Sequence, residues 1–477
     1  MTEPESGNQP KWSNDVNWFR IRLFKCWIGM FLTKILDKYN EALSVWYPMF
    51  AFQLSLIVEE ILKEVKPISI YLVGSFGRDE GSISILNGEI KPLRDYDILL
   101  VVDKNVNGDV IRRIRINIHK KLGLPDPYHR KFKFMGFTVW ITQTTLKEIN
   151  AMPLLKFYEL KTASKLLWGQ DIRPSIRLTI DEISPYNGIL ILFSKIEGLL
   201  GLLEPNIMEN NDNLGSVDLI YECMKTYTEI ATCLSLLNRE LYEPYFLGRC
   251  NKVLRRFKES FPELLRVNER LPCLIEEYAY SRLLISQDYL KKFNPRNLLV
   301  ETSRDLGLAI WYFLNKAYGA HITPLSVENI SDYESKFNSL VLEDLFGHYL
   351  KKKIGFSNKI LSKLTSRLYL RYALLKFVVH ARKEDKPIRF TLIFSKNANI
   401  MLRLWLIGFL LLRSIEPCFE VNREMLTAAK DKLSGITGRK FLRQHVCEAD
   451  ANSEFLSLCR IVLNLIDLAD RVFHRKD

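Results

Sequence analysis

The spacing of apolar residues divides the chain into segments of different predicted structure. Between residues 12 and 65, apolar side chains recur at helical spacing with few helix breakers, which predicts two helices. After Pro67 the pattern changes to short apolar runs bounded by glycine or polar residues. These runs predict three strands, over Ile68–Val73, Asp97–Val102 and Phe137–Thr142. A basic amphipathic stretch before the third run, Val110–Leu122, predicts a helix that crosses from one strand to the next.

From Tyr186 onward the periodicity is helical almost throughout. The apolar run Leu404–Leu412 is far too short to span a bilayer and predicts a buried core helix. The fold class expected is therefore α+β, with a small mixed-sheet α/β domain followed by a large, mostly α-helical region. We expect four parts: N-terminal helices over 1–65, the α/β domain over 66–175, a helical bundle over 176–345 and a basic helical C-terminal domain over 346–477.

Composition places the chain among globular proteins. It has 477 residues, 47% of them hydrophobic, which is enough for two to four domains and too apolar for a disordered chain. The eight cysteines form no CxxC pair, and His445 with Cys447 lacks a second pair of ligands, so we expect neither a disulfide framework nor structural zinc. The chain begins with polar and acidic residues, unlike a secretory signal. We therefore expect a cytoplasmic protein without a membrane span.

The charge balance favours a polyanionic partner. Lys and Arg number 68 against 55 acidic residues, a net charge of +13. The excess is greatest in the segment 350–389, where four basic residues follow one another at i, i+4 spacing along one predicted helix face: Lys359, Lys363, Arg367 and Arg371. Like charges at this spacing repel by a few tenths of a kcal/mol each, and a bound nucleic acid would relieve that repulsion. A solvated face paired with acidic residues elsewhere remains the alternative.

Two short motifs carry the candidate chemistry. The segment Tyr71-Leu-Val-Gly-Ser-Phe-Gly-Arg78 places Gly74 and Ser75 between a strand and a helix, where backbone N–H groups and a hydroxyl can hold a phosphate. It lacks both the P-loop and the dinucleotide-binding glycine pattern. Some twenty residues later come Asp95 and Asp97, at the start of the second predicted strand. Side chains two apart in extended chain share a face, so both carboxylates can face one divalent cation. Two carboxylates beside a phosphate cradle suit Mg²⁺-assisted nucleotidyl transfer.

At these residues, Leu72-Val73-Gly74-Ser75 and Asp95-Tyr96-Asp97-Ile98, the sequence resembles nucleotidyltransferases of the DNA polymerase β superfamily. It is most similar to the antibiotic nucleotidyltransferase-like and minimal nucleotidyltransferase branch, in which an arginine follows the glycines as Arg78 does here. The resemblance implies that Gly74, Ser75 and Arg78 bind a nucleoside triphosphate, while Asp95 and Asp97 are catalytic and hold Mg²⁺.

The same resemblance implies the transfer of a nucleoside monophosphate to an acceptor hydroxyl, which we expect to belong to a small or non-nucleic molecule. Two alternatives stay open. One is an RNA-terminal nucleotidyltransferase. The other is a nucleic-acid-binding module of the same fold that lacks turnover, with the basic segment as its contact surface.

The sequence departs from the family pattern in two ways. Nineteen residues separate Ser75 from Asp95, which predicts an inserted hairpin around Ile85–Lys91, turned by Asn87-Gly88. The family also carries a third carboxylate on a neighbouring strand, whereas the predicted strand here presents Thr138, Trp140 and Thr142 on one face and no acid. The third acid is therefore absent, or is Glu148, Glu159 or a residue of a strand placed wrongly. For His119 and His129 we expect structural or surface roles.

Overall fold

The computed structural model describes residues 13–128, 137–203, 213–324, 375–379, 381, 388, 400–415, 421–446 and 450–474, and the side chains of its first helix from residue 35 onward. Helices predominate, and the strands form one sheet of four and one of three. The predicted α+β fold class is confirmed.

The four-stranded sheet contains all three predicted strands. Its members are β1 (Ser69–Val73), β4 (Tyr96–Val101), β5 (Val139–Thr144) and β6 (Lys165–Gly169), in the spatial order β5-β4-β1-β6. β1 is antiparallel to both of its neighbours, and β4 is parallel to β5. The connection between these parallel strands contains α3 (Gly108–Lys121), the predicted crossover helix. Each strand lies within two residues of the range that its apolar run predicts, because a short buried run is a local signal.

The predicted insertion is a hairpin of β2 (Ile83–Leu86) and β3 (Glu89–Pro92). Its two turn residues both adopt positive φ, +52° at Asn87 and +79° at Gly88, as a tight hairpin turn requires. A short strand from the helical region, β7 (Leu284–Ser286), pairs in parallel with β2 and completes the three-stranded sheet. The insertion therefore joins the α/β part of the chain to the helical region.

The N-terminal segment forms one helix, α1 (Ser13–Glu64), and the prediction of two helices was wrong. Pro48 lies inside α1 and is exposed. A proline inside a helix costs about 3 kcal/mol through a lost hydrogen bond and a steric clash. On either side of it, Trp46 and Phe50 are buried and both contact the rings of Phe76 and Tyr96 in the sheet domain. Burial of a large side chain stabilises by about 1.5–3 kcal/mol, so these two residues offset the cost and the helix continues.

The outward face of α1 is apolar and uncovered. Val45, Met49 and Phe52 are 53–68% exposed. Among the described residues, the segment Ile35–Glu64 is long and apolar enough to cross a membrane by length and composition. A core helix of a soluble protein meets the same criteria, and the inner face of this segment packs on the sheet.

The rest of the α/β part consists of short helices that follow the strands. They are α2 (Gly74–Gly77), α4 (Leu146–Ala151) and α5 (Leu155–Ala163). One core lies between the sheet and α1 with α3, and a second core covers the opposite face of the sheet beneath α5.

The helical region follows from residue 186. Its helices are α6 (Tyr186–Gly201), α7 (Asn213–Leu237), α8 (Phe246–Arg255), α9 (Phe257–Ser260), α10 (Pro262–Val267), α11 (Leu271–Ser281), α12 (Gln287–Leu290), α13 (Pro295–Tyr318), α14 (Ile400–Arg413), α15 (Arg423–Thr437), α16 (Arg439–His445) and α17 (Ala451–His474). Leu404–Leu412 lies in α14 and its leucines are buried, so the predicted core helix is confirmed. A single apolar core includes residues of α6, α7, α13, α14 and α17, so it joins described residues of the two parts that we expected over 176–345 and 346–477.

Candidate nucleotide and metal site

The Gly-Ser turn and the Asp-x-Asp motif lie side by side at one end of the four-stranded sheet. The antiparallel register of β1 and β4 pairs Val73 with Asp97. At the next residue, Gly74, the chain turns with φ +67° into the single helical turn α2. A Cβ at Gly74 would lie 2.2 Å from Asp97 Oδ2, so the carboxylate of Asp97 rests directly against this glycine. Only glycine fits here, on both steric and conformational grounds.

The two carboxylates form a charged pair without protein partners. Burial, and secondly the negative charge of Asp95, raise the pKa of Asp97 to about 7. No hydrogen bond or ion pair joins either aspartate to another residue that the structure describes. A divalent cation bound between them would offset the repulsion between the two carboxylates. The described residues contain no group of three or more His, Cys, Asp or Glu side chains that could hold a metal, so this pair would need water or substrate as further ligands.

A lysine of the helical region complements these carboxylates. Lys225 lies on α7, and its positive charge lowers the pKa of Asp97. Burial lowers the pKa of Lys225 itself, but negative groups outweigh it, Glu222 first and Asp95 among them, and the pKa is raised. No ion pair within 4.0 Å holds its ammonium group to a described acidic residue. Lys225 is therefore a cation near the aspartates whose ammonium group forms no ion pair with the part of the chain that the structure describes.

Sequence reasoning missed Lys225, although a signal existed. Four charged residues recur at helical spacing in the otherwise apolar helix α7: Asp218, Glu222, Lys225 and Glu229. A charged stripe along a helix that is buried on all other sides indicates an internal polar site.

Glu222 connects the start of β4 to the helical region. Its carboxylate accepts hydrogen bonds from Arg94 Nη2 at 3.0 Å and from Lys195 Nζ at 2.9 Å. Burial would raise the pKa of Glu222, but these two cations outweigh it and hold the pKa far below its ordinary value. Arg94 directly precedes Asp95 in the sequence. The contacts of Glu222 with Arg94 and Lys195 therefore attach the backbone next to the aspartates to α6 and α7.

Arg78, predicted to bind the nucleotide, is held by a protein carboxylate. Its Nη1 donates to Glu159 Oε2 at 3.0 Å. The other oxygen of Glu159 accepts from the Tyr242 hydroxyl at 2.8 Å and from Arg249 Nη2 at 3.3 Å. Arg78 is close enough to lower the pKa of Asp97, yet its guanidinium group already has an anionic partner. The geometry gives Arg78 a role in positioning the turn.

A second acid fastens the same turn to the helical region. Glu80 is 6% exposed, and its two oxygens accept the backbone N–H groups of Phe246 at 2.7 Å and Leu247 at 2.9 Å. These two N–H groups belong to the first turn of α8, where backbone N–H groups have no acceptor within the helix. The loop that follows the Gly-Ser turn is thus attached at two points to elements far along the chain.

β5, the strand that pairs with β4 on the side away from β1, carries no acidic residue on the face that holds the side chain of Asp97. In the parallel register of β4 and β5, Trp140 stands opposite Asp97 and Thr142 opposite Leu99. The two proposed substitutes have structural roles: Glu159 holds the arginines described above, and Glu148 forms the capping box of α4 with Thr145.

His119, for which we expected a structural or surface role, is buried. His119 is 2% exposed, its Nδ1 lies 2.6 Å from the carbonyl oxygen of Pro125, and its Nε2 accepts the N–H of Val139 at 3.1 Å. It secures the first residue of β5, and burial lowers its pKa. His129 lies outside the described residues, as do Lys359, Lys363, Arg367 and Arg371, so the basic stripe stays a sequence prediction.

A groove of about 620 Å³ lies in another part of the molecule. Its lining includes Pro185, Leu236, Arg239 and Lys316 and none of the residues named above as candidate ligands. We place the candidate site at the aspartates, because unpaired carboxylates and a tight glycine turn carry chemistry that an open groove does not.

Comparisons of the chain with family models, with curated proteins and with solved structures give no match. The resemblance to nucleotidyltransferases therefore rests on the two motifs and on the geometry that unites them.

Proposed function

We propose that the chain is a Mg²⁺-dependent nucleotidyltransferase that moves a nucleoside monophosphate from a nucleoside triphosphate to an acceptor hydroxyl. The observation that carries this proposal is the contact between Asp97 and Gly74, which places the carboxylate pair directly beside the Gly-Ser turn. The two features are 23 positions apart in sequence, and the antiparallel pairing of β1 with β4 brings them together.

Asp95 and Asp97 are the residues that would hold Mg²⁺. Two adjacent carboxylates that have no partner among the described residues fit a hard divalent cation. Burial first and the charge of Asp95 second raise the pKa of Asp97 to about 7, and such a cation would neutralise the charge. When bound, Mg²⁺ supplies neutralisation of the phosphate charge that develops during transfer.

The remaining groups bind and orient the triphosphate. Gly74 has no side chain, which leaves room for the Asp97 carboxylate beside the turn that would hold the phosphate. The Ser75 hydroxyl makes no hydrogen bond to another described residue and is available to a phosphate oxygen. Lys225 brings a positive charge from α7 to the same end of the sheet. Arg78 supports the turn through Glu159.

Titration calorimetry with non-hydrolysable nucleoside triphosphate analogues tests the binding step. We expect the parent to bind an analogue only with Mg²⁺ present, and Asp95→Asn to lose at least about tenfold in affinity, because charged hydrogen-bonding or ligand groups contribute about 1.5–3 kcal/mol. The matched control is Asp103→Asn, which removes the same charge from an exposed position beyond the other end of β4. Equal affinities of the parent and both variants would refute the assigned site.

A second candidate function is a nucleotide-binding module without turnover. It is favoured by the face of β5, where Trp140 and Thr142 stand where the family resemblance would put an acid. On this alternative the basic segment 350–389 binds nucleic acid. Release of pyrophosphate from a hydrolysable triphosphate, measured over a range of acceptors, separates the two functions, because only the enzyme releases it.

A further inference from the structure

Trp140 is an exposed aromatic side chain at the candidate site. It is 39% exposed and stands in register with Asp97 on the adjacent strand, so the two side chains leave the sheet on the same face. Farther along β4 on this face, Leu99 and Val101 are buried beneath the second core. Among the described residues, this face is therefore buried at one end of the strands and exposed at Trp140 near the other end.

The indole is held in place from one side. The guanidinium carbon of Arg115 lies 4.0 Å from the centre of the Trp140 ring. Arg115 is itself fixed, since it is 4% exposed, donates from Nε to the carbonyl oxygen of Val139 at 3.2 Å, and stacks on Tyr128 at 4.8 Å. An indole clamped on a buried guanidinium loses little conformational entropy when a second ring stacks on it.

The order of the strands indicates that the acceptor, and not the triphosphate, would lie next to the Trp140 ring. The Gly74 turn lies at the end of β1, the aspartates at β4 and Trp140 on β5, and the order of these strands is β5-β4-β1. The carboxylates therefore lie between the phosphate-binding turn and Trp140. In phosphoryl transfer the attacking and leaving oxygens are roughly in line, so the acceptor enters on the side opposite the leaving pyrophosphate. That side is the side of β5.

We propose that Trp140 is an aromatic platform for the acceptor, and that the acceptor carries a planar ring that stacks on it, as a nucleoside or the terminal nucleotide of an RNA does. This inference rests on the proposed nucleotidyl transfer and names the substrate class of that site. Every nucleobase has a flat face, so a stacking contact accepts any of the bases. Such a contact gives a function to the tryptophan at the position where the family resemblance would put an acid.

Equilibrium binding of three probes tests the proposal: adenosine, hexa-adenylate RNA, and glucose, which has hydroxyl groups but no flat ring. Each is titrated into the full chain with and without Mg²⁺ and a non-hydrolysable triphosphate analogue. The variants are Trp140→Phe, Trp140→Leu and, as the matched control, Trp168→Leu. Trp168 is 40% exposed on the other edge strand of the same sheet and pairs with Ile70, whose side chain enters the core on the opposite face.

The parent and Trp140→Phe should bind adenosine or the RNA, and Trp140→Leu should bind about tenfold more weakly, the loss typical of one base stack. Trp168→Leu should match the parent, and affinity for the triphosphate analogue should be equal in all four proteins. Tighter binding of adenosine than of RNA would identify a small acceptor, and the reverse an RNA end.

Three results would overturn the platform: no binding of either ring-bearing probe to the parent, glucose bound as tightly as adenosine, or Trp140→Leu weakening only the triphosphate analogue. Failure of the proposed function is a different result, namely that the parent does not bind the analogue with Mg²⁺. In that case, the titrations without nucleotide would still test the platform, because they compare the affinities of adenosine and RNA for the parent and for the Trp140 variants.

Discussion

Replacement of Asp97 by asparagine should change how the stability of the protein depends on pH. Burial and the neighbouring Asp95 hold the pKa of Asp97 at about 7, compared with the ordinary 3.8. Between these two values the folded chain binds a proton that the unfolded chain has released. Stability from this group is therefore complete below about pH 4 and is lost as the pH rises through 7. Asparagine carries no proton to lose, so Asp97→Asn should not show this loss.

The size of the effect follows from the same values. A difference of about three pKa units at about 1.36 kcal/mol each sets a ceiling of about 4 kcal/mol. The carboxylate is only partly buried, at the open end of the sheet, and solvent screening reduces the effect. We expect Asp97→Asn to gain about 1–2 kcal/mol relative to the parent between pH 5 and pH 8 in the absence of divalent cations.

Urea unfolding in chelator at pH 5, 6, 7 and 8 measures this difference. Carboxyl groups far from Asp97 titrate over the same range, but they are common to both proteins and cancel when the two are subtracted. Asp103→Asn is the control and should follow the parent at every pH. Added Mg²⁺ should stabilise the parent at pH 8 and leave Asp97→Asn unchanged. Parallel pH profiles of the parent and Asp97→Asn would show that no buried like-charged pair exists at this position.

Two further substitutions test the elements around the site. Gly74→Ala should abolish triphosphate binding in calorimetry, because its Cβ would lie 2.2 Å from the neighbouring carboxylate, whereas Gly88→Ala, at φ +79° with nothing within 4 Å, should lower only the melting temperature. Glu159→Gln should cost about 3 kcal/mol in urea unfolding, because it leaves the buried Arg249 without its anion and Arg78 with only Glu80 at 3.7 Å; Glu240→Gln, at an exposed ion pair, should cost less than about 1 kcal/mol. A small loss for Glu159→Gln would contradict its assigned role in the turn.

The elements that the sequence predicts well are those with local signals. The strand before Gly74 and the strand after Asp95 are short apolar runs bounded by a glycine or a charge, and both form near the predicted residues. The hairpin follows from Asn87-Gly88, since two successive residues of this type favour positive φ. The α1 segment shows the limit of local rules, because Pro48 indicates a break that aromatic packing on the sheet overrides.

The contacts that complete the site are not local, and no pattern in one sequence reveals them. Glu159 meets Arg78 across 81 positions, and Glu222 meets Arg94 across 128. A lone glutamate in an amphipathic stretch gives no hint of which arginine it will contact. Lys225 was detectable as one member of a charged stripe, but the stripe does not say that the aspartates lie opposite it.

These long-range contacts also bear on how the chain divides. The turn and the aspartates belong to the α/β part, whereas Lys225 belongs to α7. The loop after the turn is held by the first turn of α8 through Glu80, and β7 of the helical region extends the hairpin sheet. A fragment that ends near residue 175 would keep both motifs but lose Lys225, both partners of Glu80 and one strand. On the proposed function, a triphosphate at the aspartates would contact both parts, so the fragment should bind it more weakly than the full chain.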